Sequence, residues 1–154
     1  MPSTSSRNTE KLERLFLLAE ENGILIDDEC PEEIISMSVK LPCGKRIIGL
    51  SKRGHATYTR LEQMAHELGH CMTDSFYEGY SPFELREKHE RCANEWAVKE
   101  ILPFSELCEA VKSGCRELWE LSEYFNVSEE FVRKAIDIHR QNGNIVPREF
   151  YEEY

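Results

Sequence analysis

The stretch that most restricts how this chain folds is Leu61–Met72, LEQMAHELGHCM, which contains His66-Glu67-Leu68-Gly69-His70. Histidines four residues apart share a face only if the backbone is helical. At about 100° per residue, His70 lies about 40° from His66 on the helix wheel, and Glu67 about 100° from it. Two imidazoles one turn apart can grip one metal ion. The carboxylate between them reaches the same side, where it can take a proton from water. Leu61, Met64, Ala65, Leu68, Cys71 and Met72 fall between about 140° and 260°, opposite the histidines. The segment is therefore predicted to be a helix with an apolar back to bury and a front for chemistry. The HExxH order points to zinc, with His66 and His70 as ligands and Glu67 as the base.

Catalytic zinc normally takes three protein ligands and keeps a fourth position for water. The third ligand is expected to be Glu, Asp or His on a neighbouring element, with further groups orienting the histidines. Ser81-Pro82-Phe83-Glu84 carries a cap, a proline at the first helical position and a glutamate, and predicts a helix running to Leu102 before Pro103 ends it. That helix offers Glu84, Glu87, His89, Glu90 and Glu95. Measured from Glu90, the residues Ala93, Asn94, Ala97 and Ile101 lie within about 60°, a face of mostly small side chains that lets the two helices approach closely. Asn94, one turn on, can accept a hydrogen bond from the second nitrogen of a ligating histidine. Glu95 lies about 140° away and is expected to face solvent. Tyr77 and Tyr80, in the polar and aromatic rim segment Thr73–Tyr80, and His89 are three candidate donors to an oxyanion.

Around these two helices the chain is readable in outline. Asn8 or Thr9 can cap a first helix to about Asn22, with Leu12, Leu15, Phe16 and Ala19 on one face. Ile24–Ile26 is a short apolar run expected as a strand. Ile35–Leu41 alternates at strand period, Pro42–Lys45 supplies a turn, and Arg46–Leu50 returns as the second arm of a hairpin. Ser51–Thr57, with Gly54 and His55, reads as a loop, and Thr59 with Glu62 as a capping box. Beyond Pro103, Ser105–Lys112 is a short helix. Glu117–Phe125, Asn126-Val127 and Ser128–Gln141 read as helix, tight turn, helix. This shape is often used on DNA. Residues 116–154, however, hold five Arg/Lys against nine Asp/Glu, a net of −4 that argues against phosphate contact.

At 154 residues the chain is expected to be a single domain: a core over 9–103, a helical hairpin extension over 104–141 and a tail over 142–154. The formal net charge of −10 disfavours a general binder of nucleic acid or anionic membrane. No stretch approaches the roughly 20 apolar residues of a membrane span. The start MPSTSSRNTEK lacks a signal-peptide core, so a cytoplasmic location is expected. The six cysteines (Cys30, Cys43, Cys71, Cys92, Cys108, Cys115) form no CxxC pair and are read as reduced thiols, Cys71 and Cys92 as small buried residues.

Glu90 follows His70 by 20 residues, within Glu90-Arg-Cys-Ala93-Asn94-Glu-Trp96-Ala97…Ile101-Leu102-Pro103. This pattern, after HELGH, resembles the signature of the ImmA/IrrE family of metallopeptidases, of glutamate-zincin type, over roughly residues 9–141. Many relatives carry Asp where Asn94 stands, and often an acidic residue where Cys92 stands. The resemblance implies an α+β fold: a small zincin-like domain with a short antiparallel sheet on the HExxH helix, then a mainly helical C-terminal part. It implies zinc held by His66, His70 and Glu90, with Glu67 as the catalytic base, and a protein substrate. That substrate would be a helix-turn-helix repressor in a bacterial or mobile-element regulatory system, with no nucleic acid and no membrane as partner. Three other classes stay open: a structural zinc domain, a binding module of this fold without catalysis, and a DNA-binding regulator acting through residues 117–141.

Overall fold

The computed structural model describes residues 4–31, 33–51 and 59–150. The order of elements is α1 (Thr4–Glu21), β1 (Leu25–Asp27), β2 (Ser36–Lys40), β3 (Arg46–Leu50), α2 (Arg60–Thr73), α3 (Phe83–Ile101), α4 (Phe104–Lys112), α5 (Leu118–Phe125) and α6 (Glu129–Gln141), with a 3-10 turn at Arg148–Phe150. The architecture is α+β, as the pattern of the chain implies. The loop expected at Ser51–Thr57 lies outside the described residues except for Ser51.

The sheet is short because its hairpin is short. Gly44 takes φ +88°, and its N–H donates to Leu41 O at 2.8 Å, turning β2 into β3. β2 pairs antiparallel with β3, from Ser36 opposite Leu50 to Lys40 opposite Arg46. The remaining edge of β3 takes β1 in parallel, Leu25 opposite Ile47, so the sheet is mixed in the order β1-β3-β2. The purely antiparallel expectation is corrected on this point. β1 does not fold back on its sequence neighbour; it enters on the far side of β3, where its direction matches. Ile48 and Leu50, alternate residues of β3, are fully buried.

α2 is the centre of the molecule. Its apolar back packs as the wheel predicts, with Leu61, Met64, Ala65, Leu68 and Cys71 all buried. Its front is covered as well, since Glu62, Gln63, Glu67 and His70 are also buried. A helix so enclosed has to satisfy its polar groups locally, and its first turn does so twice over. Glu62 N donates to Thr59 Oγ1 at 3.2 Å while Thr59 N donates to Glu62 Oε2 at 2.8 Å, closing the expected capping box. The same carboxylate accepts Ser128 N at 3.1 Å and Ser128 Oγ at 2.6 Å, where Ser128 in turn caps α6. Glu62 thus fastens the beginnings of α2 and α6 together. At the other end Arg46 donates to Cys71 O at 2.8 Å and to Asn22 O at 3.1 Å, tying α2 to β3 and to the end of α1.

α3 crosses α2 at very short range. A Cβ built on Gly69 would lie 2.6 Å from Ala93 O and 3.1 Å from Ala93 Cα, so only glycine and a small residue opposite permit this approach. The face of α3 carrying Ala93, Ala97 and Ile101 is buried, as its composition predicts.

Three boundaries differ from the sequence reading. α1 begins at Thr4, ahead of Asn8, because contacts extend it: Arg7 Nη1 donates to Tyr124 OH at 2.9 Å, and Asn8 is buried. Pro82 occupies the cap position of α3, while Ser81 Oγ accepts from Glu78 N at 3.0 Å within the preceding loop. The segment expected as a tail is held down as far as Phe150, since Val146 and Phe150 join the core at 4% and 3% exposure. Ile145, Val146 and Phe150 are too few, and too broken by Pro147, to establish a helical or strand period, which is why the segment reads as tail.

Gly69→Ala is expected to cost about 1–3 kcal/mol through forced separation of α2 and α3. An unchanged Tm would show that the crossing is slack. His139, 5% exposed, donates from Nε2 to Leu102 O at 2.9 Å, and burial lowers its pKa. In that case the unfolded chain takes up the proton first, so stability is retained above about pH 6.5 and falls as the pH drops below it. Denaturant titrations across pH 5–7.5 should show a shallower decline in His139→Gln, by at most about 1.4 kcal/mol per pH unit, the limit for one proton. Parallel curves would refute this.

Candidate active site

His66 and His70 stand one turn apart on α2 with ring centroids 4.8 Å apart and nearly perpendicular. Their Nε2 atoms are 3.2 Å from each other. Glu90, from α3, brings Oε2 to 3.3 Å from His66 Nε2 and Oε1 to 3.3 Å from His70 Nε2. The three side chains form a group able to hold a metal ion. The cluster is partly open, with side-chain exposures of 26% for His66, 7% for His70 and 37% for Glu90.

The second nitrogens fix how the rings point. His70 Nδ1 lies 2.7 Å from Ser75 O, and a carbonyl can only accept, so the proton sits on Nδ1. His66 Nδ1 lies 3.0 Å from Asn94 Oδ1, which also accepts from Lys134 Nζ at 3.4 Å. That second donor identifies the Asn94 atom as oxygen, and His66 too carries its proton on Nδ1. Both Nε2 lone pairs therefore converge, with the Glu90 oxygens, on one region. Without a cation such a convergence is repulsive, and the donor set of two imidazoles and a carboxylate suits zinc. The residues present fit the ion.

The electrostatics point the same way. When the imidazoles are protonated at Nε2 as well, hydrogen bonds from His66 and His70 hold the Glu90 carboxyl well below the usual carboxylate range, despite burial. Burial alone would push the His70 imidazole down, but Glu90, the Ser75 carbonyl and Glu67 together raise it. The cluster favours positive charge among its oxygens.

Glu67 is 6% exposed, and its Oε1 accepts a hydrogen bond from Ser36 Oγ at 2.7 Å. A cavity of ≈ 310 Å³ runs from this carboxylate and His66 past Ile35 and Ser36 to Phe131 and Lys134. A wider groove of ≈ 950 Å³ follows α3 and α6 and meets it at Glu90, Asn94, Glu130 and Lys134. The helical hairpin at the C-terminus thus supplies a wall of the cleft.

Of the three rim donors, Tyr77 alone joins the cluster, donating its hydroxyl to Glu90 Oε1 at 2.7 Å. That hydrogen bond and burial push the phenol up to about 12. His89 stacks on the Tyr77 ring at 6.5 Å, and Tyr80 is 86% exposed. Glu95 pairs with Arg91 at 2.9 Å, away from the histidines. Cys71 is buried, and burial lifts its thiol to about 12.

Ser36, Ser75 and Lys134 were not foreseen. Ser36 begins a strand whose alternation gave a hint of a polar face. Ser75 follows the left-handed Asp74 (φ 51°) that ends α2, and its contribution is chiefly a main-chain carbonyl, which no sequence pattern marks.

An HExxH helix backed by a small sheet, crossed by a helix that brings a glutamate to both histidines, resembles the arrangement of glutamate-zincin peptidases. Residues 19–137 match the M78 peptidase family, described as IrrE N-terminal-like domain, and the chain belongs to this family, the ImmA/IrrE metallopeptidases. No curated protein and no solved structure gives a significant match. The family carries a peptidase-type function in general terms, and hence a protein substrate. Among the described residues, no helix is long and apolar enough to cross a membrane.

Proposed function

We propose that this chain is a zinc-dependent endopeptidase, with His66, His70 and Glu90 as metal ligands and Glu67 as general base and then general acid. The observation that carries the reading is the convergence of both Nε2 lone pairs and the Glu90 carboxylate beside a buried glutamate that lines the same cavity. Zinc bound there would supply Lewis acidity towards the scissile carbonyl and lower the pKa of water towards ~7. Glu67 takes the proton of the attacking water and returns it to the leaving amine. Ser36 donates to Oε1 and leaves Oε2 for that transfer. Asn94 and the Ser75 carbonyl hold the imidazoles in the tautomer that turns Nε2 inward. Tyr77 is our candidate for the oxyanion donor in preference to Tyr80 and His89, since its hydroxyl reaches the ligand cluster, 2.7 Å from Glu90 Oε1, while Tyr80 is exposed.

The substrate main chain would run along β2, which among the described residues pairs with β3 on one edge only. The family resemblance nominates a helix-turn-helix repressor, and removal of the repressor would relieve transcriptional silencing in a bacterial or mobile-element system. A chain of these 154 residues would then act as one cytoplasmic domain.

One zinc per chain is expected by metal analysis, lost on chelation and in His66→Ala. Glu90→Gln should weaken zinc by more than the roughly 10–100-fold that follows loss of an outer contact, while Glu95→Gln leaves it in place. The opposite ranking would overturn the ligand assignment. Glu67→Gln should keep fold and zinc yet slow repressor cleavage by about 10²–10⁴-fold. Near-normal turnover in that variant, or tight salt-sensitive binding to duplex DNA without cleavage, would defeat the peptidase mechanism.

A further inference from the structure

One residue of α2 is buried beside the cluster with no partner of its own. Gln63 is 3% exposed, and among the described residues neither Nε2 nor Oε1 has a hydrogen-bond partner. Burying both halves of an amide without partners is costly, and such groups persist where something outside the chain completes them. Gln63 lines the ≈ 310 Å³ cavity together with His66 and Glu67. On the helix it stands one turn before them, about 4.5–6 Å along the axis, which is one to two residues of an extended chain.

We propose that Gln63 is a specificity-determining residue that reads a side-chain carboxamide, Asn or Gln, one or two positions from the scissile bond of the substrate. This rests on the peptidase reading above. A primary amide presents one acceptor and two donors side by side, and a second carboxamide meets both with a pair of parallel hydrogen bonds, a geometry that the single oxygen of a hydroxyl does not offer. A carboxylate would leave Oε1 facing oxygen lone pairs, and an ammonium would leave Nε2 without an acceptor. Charge decides against an acidic side chain independently. Glu62, Glu67, Glu90 and Glu130 line the cavity against a single cation among the described residues, Lys134, so that even a divalent ion in the cluster leaves the surroundings net negative. The apolar walls, Ile35 and Phe131, suit the methylene stem of a neutral amide.

The test uses the full-length zinc-loaded protein and its Gln63→Leu variant with a degenerate decapeptide library, cleavage sites being read by mass spectrometry. The wild type should cleave next to or one residue from Asn or Gln in preference to Asp, Glu and Leu. In matched peptides differing only at that position, Gln63→Leu should lower kcat/KM at least about tenfold more for the glutamine peptide than for the leucine peptide. Cleavage without carboxamide preference, or an equal loss for every peptide, would overturn the proposal, the latter pointing to a main-chain contact. Binding supplies a readout independent of turnover. The Gln63 side-chain NH₂ resonances, identified by their loss in Gln63→Leu, should move with N-acetyl-glutamine methylamide and stay with N-acetyl-leucine methylamide. A shift without hydrolysis would sink the peptidase reading and keep the subsite. Hydrolysis without a shift would sink the subsite alone, and the absence of both would end both. Gln63→Leu should keep or raise the Tm, whereas a merely structural glutamine would lower it.

Discussion

The contact between Gly69 and the backbone of Ala93 sets the distance on which the whole site depends. A glutamate on one helix reaches two imidazoles on another only if the helices cross within a carboxylate's length, and side chains at the crossing would prevent it. The absence of a Cβ at Gly69, facing a small residue, brings Glu90 to 3.3 Å from both Nε2 atoms. The glycine inside HELGH therefore acts on the site through packing, though it offers no chemistry of its own. The conformational cost of glycine within a helix, about 1 kcal/mol, is offset by what the crossing buries.

Because α2 is enclosed on nearly all sides, the elements around it become parts of the cleft. β2 brings Ser36 to Glu67, the turn after α2 brings Ser75 to His70, α3 brings Asn94 to His66, and α6 brings Lys134 to Asn94. Glu62 links two of these elements at their starts, since a single buried carboxylate accepts from Thr59 on one side and from Ser128 on the other. The helix-turn-helix outline of α5 and α6 is thereby put to another use. The apolar face of α6 (Phe131, Val132, Ala135, Ile136) enters the core, while Glu130 and Lys134 border the cavity.

What could be read from the sequence was whatever has a period or a fixed spacing. The two wheels located the buried faces of α2 and α3, and the same arithmetic separated Glu90 from Glu95. The capping box at Thr59 and the hairpin around Gly44 follow from local chemistry that a few residues encode. The parallel placement of β1 escaped, because three residues of strand carry no record of which edge they join. So did the seating of Val146 and Phe150, and the second partner of Glu62. These depend on contacts between positions far apart in the chain, for which neither propensity nor pattern leaves a local trace. The orphaned amide of Gln63 belongs here too: on a wheel it is a polar residue near the front, and only the packed surroundings show it to be without a partner among the described residues.

The two imidazoles are held by unlike means. His66 leans on a side chain, Asn94, which a substitution at that position can remove or improve. His70 leans on the carbonyl of residue 75, a group every amino acid possesses. Evolution can therefore tune the first ring by exchanging an amide for a carboxylate, whereas the second, with Ser75 Oγ only a longer contact at 3.2 Å, is largely insulated from substitution at its own partner and answers chiefly to the backbone turn at Asp74. One half of the pair is open to heritable adjustment. The other is written into the path of the chain.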